Sequence, residues 1–228
     1  MLVRSFALLG ALALTSLASA ADVVSVPWKE GTNYFAIDPP VPADATGKIE
    51  VTEVFSYGCP ACNFAYPTID KLKKSLPAGV VMNYVPASFN TNENWPMFQR
   101  AYYTALALGV AEKSHDAMFD AVWKNRTLAI MNDDGRSLKK PLPTIEDAAN
   151  KFYANYGVKP EDFIATANSF AINAKMKRAD AFLKATGTDS TPTIVVAGKY
   201  RLTMQSAGGE DKLAPLVQYL IQLESASK

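Results

Sequence analysis

Cysteine and histidine are both scarce in this chain of 228 residues, which contains two cysteines and one histidine. A structural zinc site needs four protein ligands, and His115 lies far along the sequence from Cys59 and Cys62. We therefore expect no metal site. The chain also has little need of a disulfide to hold it together, because 49% of its residues are hydrophobic and can form a core.

An excess of either charge is also missing. The chain has 23 basic and 22 acidic residues, a net charge of +1. This balance argues against nucleic acid or an anionic membrane surface as the main partner. Beyond the first twenty residues, no uninterrupted apolar run is long enough to span a membrane, so we expect a soluble product.

Residues 1–20 have the pattern of a signal peptide. Arg4 provides the positive start, residues 6–17 are apolar, and Ala18-Ser19-Ala20 forms a small-residue cleavage site. Cleavage would remove Arg4 from the 23 basic residues and leave 22, against 22 acidic ones. The mature protein is then expected to begin at Ala21 and to leave the reducing cytosol.

The stretch from Val51 to Cys62 carries the clearest chemical signal. It reads as a β-branched and aromatic strand that leads into Cys59-Pro60-Ala61-Cys62 and then into a helix. Cys59 occupies the expected N-cap position and Pro60 the first helical position, where a missing N–H costs nothing. Unpaired N–H groups and the helix dipole at this end stabilise a thiolate.

Two readings of the cysteine pair follow from the residues alone. The pair could be a plain structural bridge, or it could cycle between dithiol and disulfide. The strand, Cys-x-x-Cys and helix context favours the redox pair, and a bridge that closes so small a loop restrains the unfolded chain little.

Two blocks of the sequence resemble the thioredoxin-fold oxidoreductases. The run from Cys59 to Leu72, with Pro67 eight residues after the first cysteine, is similar to their active-site helix. The run from Ser190 to Tyr200 resembles their cis-proline strand and the hairpin that follows. The chain length and the long insertion between these blocks resemble the DsbA family of periplasmic thiol:disulfide oxidoreductases.

The resemblance implies roles for individual residues. Cys59 and Cys62 would be the redox pair, and Glu53 would be the buried acid beneath the disulfide. From the residues alone, Glu53 could equally be an exposed strand residue. The resemblance implies a substrate-binding site formed by four residues, which are Pro60, Ala61, Thr191 and Pro192, with the Thr191–Pro192 bond in cis.

The chain departs from the DsbA pattern at Ala61, where the family often has histidine. Alanine cannot donate a hydrogen bond or a positive charge to the Cys59 thiolate. We therefore expect Cys59 to be less acidic, and the disulfide less oxidising, than with histidine at this position.

The predicted architecture is α/β, a thioredoxin-like fold with an inserted all-α helical domain. Its boundaries are residues 21–92 for the first part, 93–187 for the helical insertion and 188–228 for the second part. Strands are predicted at 33–37, 49–57, 80–85, 193–197 and 200–204. Aromatic residues in the insertion, among them Phe119 and Trp123, read as helical core, and His115 as an ordinary helix residue near an N-terminus.

The activity implied by this resemblance is oxidation of thiols in reduced or unfolded exported polypeptides in the periplasm. Reoxidation by an inner-membrane, quinone-linked enzyme of the DsbB type is implied too. No organic cofactor is implied, and we expect a monomer. Two alternatives stay open: a periplasmic reductase or isomerase, and a non-catalytic chaperone-like binding module.

Overall fold

The computed structural model describes residues 28–42 and 47–226, so the predicted signal peptide lies outside the described residues. In this part of the chain, five strands form one mixed sheet in the order β1-β5-β4-β2-β3. The strands are β1 (Phe35–Ala36), β2 (Ile49–Phe55), β3 (Val80–Pro86), β4 (Thr193–Val196) and β5 (Tyr200–Leu202).

Eight α-helices accompany the sheet within the same ranges. They are α1 (Pro60–Ser75), α2 (Trp95–Ala107), α3 (Ala111–Trp123), α4 (Ile145–Lys151), α5 (Pro160–Ala167), α6 (Phe170–Thr186), α7 (Met204–Ala207) and α8 (Glu210–Ala226), with a 3₁₀ helix at Tyr153–Tyr156. Among the described residues, no helix is both long enough and apolar enough to cross a membrane.

Strand β2 positions the cysteines. It pairs in parallel with β3 and antiparallel with β4, and all of its residues are buried. Residues two apart in a strand share a face, so Glu53 lies on the same face as Val51 and Phe55. The strand ends at Phe55 rather than at the predicted Tyr57, because Ser56 accepts hydrogen bonds from the next two N–H groups and starts a turn.

Helix α1 begins directly after this turn. Cys59 is its N-cap and Pro60 its first residue, as predicted, and Pro67 lies inside the helix. The helix buries an apolar stripe that includes Ala65, Ile69 and Leu72. This stripe fixes the rotation of the helix on the sheet and therefore the direction in which its N-terminus presents the two cysteines.

The helices between β3 and β4 share a hydrophobic core with the cysteines. Val54, Phe55, Cys59 and Cys62 belong to one buried cluster with side chains of α2 to α6. The predicted capping box at Thr144–Asp147 is present, and the helical segment ends at Thr186 before Gly187 in the left-handed conformation. The helical segment therefore packs directly against the cysteine end of the sheet.

The last part of the chain adds β4, β5, α7 and α8. Strand β5 stops at Leu202, short of the predicted Met204, because Thr203 caps helix α7 through a reciprocal pair of hydrogen bonds with Ser206. Helix α8 packs Leu213, Leu216, Val217 and Leu220 into a second cluster with α1 and the sheet.

Candidate active site

The two cysteines lie at the start of α1 and are free thiols in this structure. The Cys62 N–H points to the Cys59 sulfur at 3.4 Å, so Cys59 caps the helix with its own sulfur. Cys59 is 5% exposed and Cys62 is fully buried. Of the two sulfurs, only that of Cys59 is at the open end of the helix.

The helix N-terminus makes Cys59 an acidic thiol. Its pKa is lowered to about 6, most of all by a hydrogen bond from the Cys62 thiol. A hydrogen bond from Thr191 and the backbone N–H groups of Cys62 and Ala61 lower it further, while burial opposes the shift. At neutral pH this cysteine is therefore a thiolate, the form that attacks disulfides and leaves readily from them.

Cys62 behaves in the opposite way. Burial raises its pKa well above the ordinary value, and the charges of Cys59 and Glu53 raise it further. A thiolate at Cys62 is therefore unstable and must gain a proton soon after it forms.

Glu53 lies beneath the pair with 2% of its surface exposed, so the alternative of an exposed strand residue is wrong. Burial raises its pKa to about 8, and the charges of Cys59 and Asp116 contribute. A carboxyl group with this pKa is mostly protonated at pH 7 and can exchange a proton with a neighbouring base or acid.

Thr191 lies against the sulfur of Cys59. The Cys59 thiol donates to the Thr191 carbonyl at 3.5 Å, and the Thr191–Pro192 bond is cis, as predicted. The Thr191 hydroxyl is buried, with no hydrogen-bond partner in the described part of the chain. Once Cys59 ionises, this hydroxyl is a donor already in place for the thiolate.

A cavity of about 450 Å³ opens beside the cysteines. Ala61, Thr191 and Pro192 line it, together with Phe64, whose ring is 81% exposed. Pro60 is exposed next to it. Three of the four predicted substrate-binding residues thus meet at one surface, which has an uncovered aromatic side chain at its edge.

Side chains of the helical segment hold the turn before Cys59. The Trp123 indole donates to the Tyr57 carbonyl at 2.8 Å. The Tyr57 hydroxyl lies 2.9 Å from Nδ1 of His115, and burial lowers the pKa of His115 to about 3, so the ring is neutral at pH 7. His115 does lie near the start of α3, but it contacts the segment that leads to the cysteines, which the sequence did not indicate.

Gly58 completes the turn under close contact from α2. A Cβ atom at this position would lie 2.9 Å from the Trp95 ring, which is closer than van der Waals contact allows. The chain therefore needs glycine immediately before Cys59, so that Trp95 can pack against the turn.

The sequence did not reveal the supporting residues His115, Trp95, Trp123 and Asp116. Each is distant from Cys59 in sequence, and no spacing rule connects them with it. Among the described residues, no group of three or more His, Cys, Asp or Glu side chains is placed to hold a metal ion.

Comparison with known proteins agrees with this geometry. No family model matches the chain. The thiol:disulfide interchange protein DsbA of Pseudomonas aeruginosa is 36% identical over 221 residues, which cover 97% of this chain and 95% of that protein. The DsbA of Pseudomonas syringae pv. tomato is 33% identical, with coverage of 98% and 97%.

Solved structures give the same result. The crystal structure of Pseudomonas aeruginosa DsbA matches with a TM-score of 0.75 and 38% identity over 88% of this chain and 96% of that one. The DsbA of Xylella fastidiosa matches with a TM-score of 0.75 and 34% identity over 86% and 97%.

The fold and these relatives define the class: the protein is a thiol:disulfide oxidoreductase with a thioredoxin fold and a helical insertion. Its similarity to curated relatives extends over nearly the whole chain. The chain belongs to the DsbA family.

Proposed function

We propose that the protein introduces disulfide bonds into exported polypeptides in the periplasm, using Cys59 and Cys62 as the redox pair. The observation that carries this proposal is the asymmetry of the two thiols. Cys59 is acidic and lies at the open end of α1, whereas Cys62 is buried and its thiolate is disfavoured. Stabilising the Cys59 thiolate stabilises the reduced enzyme, and this makes its disulfide an oxidant.

The reaction starts from the Cys59–Cys62 disulfide. A substrate thiolate attacks the Cys59 sulfur, the S–S bond breaks, and Cys62 leaves with the electron pair. A second substrate thiolate then attacks the substrate sulfur of the mixed disulfide and expels Cys59 as a stable thiolate. Two electrons pass from the substrate thiols to the enzyme, and the substrate gains one disulfide.

Glu53 supplies the proton that the first step needs. Cys62 leaves as a thiolate in a buried position, and the neutral carboxyl group of Glu53 can protonate it. In the reverse direction, during reoxidation, the Glu53 carboxylate takes the proton from Cys62 so that Cys62 can attack.

The substrate binds along the 450 Å³ cavity beside Cys59. The backbone of Thr191 borders the Cys59 sulfur, so an extended substrate segment could pair with it as an added strand. The exposed ring of Phe64 offers an apolar contact. The DsbA of Proteus mirabilis, whose structure shares this fold, was crystallised with a non-covalently bound peptide that contains cysteine.

Reoxidation is assigned to a quinone-linked membrane oxidase of the DsbB type, and the enzyme is expected to act as a monomer after signal-peptide cleavage. The test is oxidative refolding of a reduced, unfolded protein that has two native disulfides, with stoichiometric oxidised enzyme. Rapid appearance of substrate disulfides supports the proposal. Activity confined to the reduced enzyme, as insulin reduction or disulfide reshuffling, would instead identify a reductase or isomerase.

A further inference from the structure

A second cavity lies behind the cysteines, and Glu53 forms part of its wall. The cavity has a volume of about 310 Å³, which is room for several water molecules. It lies between α1, β3, α2 and α3. Its lining shares no residue with the cavity beside Cys59 where we place the substrate.

The proton chemistry of the proposed function needs such an opening. Cys62 is fully buried and Glu53 is 2% exposed, and in the mixed disulfide a substrate polypeptide covers Cys59. Each proton that Glu53 gives to Cys62 must nevertheless be replaced from bulk water. A route from the substrate side would be closed just when the proton is required, whereas the cavity behind the pair stays open.

The walls of this cavity are polar enough to hold water. Hydroxyl groups and a neutral imidazole border it, and acidic groups outnumber basic ones at its mouth. The lining side chains that titrate or carry charge are Glu53 within it, Tyr66, Tyr84, Tyr102 and His115 along the walls, and Asp70, Lys73, Glu112 and Asp116 towards solvent. Lys73 is engaged by Glu112 at 3.2 Å, so the remaining acids set the sign of the field at the mouth.

Asp116 is the exposed acid on α3 that lines the cavity and also acts electrostatically on Glu53. The charged groups that act on it are Asp70, Lys73 and Lys74 from α1 and Asp120 from its own helix. Its neighbour His115 lines the same wall but stays neutral at pH 7.

We propose that this rear cavity is the water-filled route by which Glu53 exchanges its proton with bulk solvent, and that Asp116 tunes that exchange from the cavity mouth. In this role Asp116 is a positioning residue, because it acts through Glu53 and does not touch the reacting sulfurs. The inference rests on the proposed proton role of Glu53. One proton enters from bulk water for each proton that Glu53 gives to Cys62, so charge and atoms balance over the cycle.

The test measures the protonation midpoint of Glu53 directly, by infrared absorption of its neutral carboxyl group in the reduced protein, with Glu53→Gln to assign the band. Asp116→Asn removes a negative charge from the mouth and should lower the midpoint by about half a pH unit. Leu106→Trp places a bulky ring at the cavity wall, expels water and should raise the midpoint. The milder Leu106→Phe serves if the tryptophan variant does not fold.

Two matched controls keep the result specific. Asp120→Asn removes a charge one turn further along α3, and Leu223→Trp adds a ring at an exposed leucine of α8. Neither residue lines the cavity, and neither variant should move the midpoint as far as its cavity counterpart.

The pH profile of disulfide exchange should move with the midpoint in each variant. An unchanged midpoint in Asp116→Asn or in the folded Leu106 variant would overturn the route, and so would an equal shift in Asp120→Asn. If the midpoints move as expected while Glu53→Gln exchanges disulfides at the normal rate, the route is supported and the proton role of Glu53 fails instead.

Discussion

Replacing Glu53 with glutamine should make the reduced protein more stable, by an amount that depends on pH. Glu53 has a pKa of about 8 in the folded protein against 4.5 ordinarily. Between these values the folded chain binds a proton that the unfolded chain has released, so stability falls as pH rises. Glutamine keeps the shape and the neutral charge of the protonated acid but has no such dependence.

The magnitude follows from the distance between pH 7 and the ordinary pKa. Each pH unit above 4.5 costs the wild-type fold about 1.4 kcal/mol until pH 8, so the penalty at pH 7 is at most about 3 kcal/mol. The variant should therefore match the wild type near pH 4.5 and exceed its free energy of unfolding by up to this amount at pH 7. The difference should level off above pH 8.

Urea denaturation of both reduced proteins from pH 4.5 to pH 8.5 measures this difference. Glu161→Gln, at an exposed position in the first turn of α5, controls for the chemistry of the substitution. A difference that stays constant with pH would show that Glu53 is ionised in the folded protein. A large loss of stability with normal exchange rates would make Glu53 a structural residue.

Four further outcomes are expected from the same geometry. One equivalent of an alkylating reagent should label Cys59 first, with a rate that rises through a midpoint near pH 6; preferential labelling of the other cysteine would reverse the assignment. Ala61→His, at an exposed position, should lower the Cys59 pKa in a thiolate-absorbance titration and make the pair more oxidising; no change in either would show that another group already stabilises the thiolate. Thr191→Val removes the buried hydroxyl and should raise the Cys59 pKa by about half to one unit, whereas Thr191→Ser should retain most of the wild-type value. Gly58→Ala should lower the free energy of unfolding by about 1–3 kcal/mol through its clash with Trp95, and an unchanged denaturation midpoint would contradict the packing described.

The sequence predicted the parts of the site that depend on local order. Cys59 at the N-cap and Pro60 at the first helical position follow from capping preferences. The resemblance to known oxidoreductases added the cis bond before Pro192 and the acid at Glu53. Strand ends were less accurate, because side chains such as Ser56 and Thr203 end β2 and β5 by hydrogen bonding to the backbone.

The rest of the site depends on tertiary packing. Trp95, His115 and Trp123 meet the turn before Cys59 only because the helical segment folds back on the end of β2. Their spacing along α2 and α3 reads simply as helical core. The approach of Asp116 to Glu53 likewise depends on how α3 sits against α1, which no local pattern encodes.

The equilibrium of the Cys59–Cys62 pair with glutathione tests the central claim most directly. The acidic Cys59 thiolate stabilises the reduced form, so the pair should be an oxidant with a potential less negative than about −220 mV, the oxidising end of the cytosolic glutathione range. The equilibrium mixtures can be trapped with acid and the two redox forms separated by mass after alkylation. A potential more negative than about −220 mV would contradict the account and would mark the protein as a reductase.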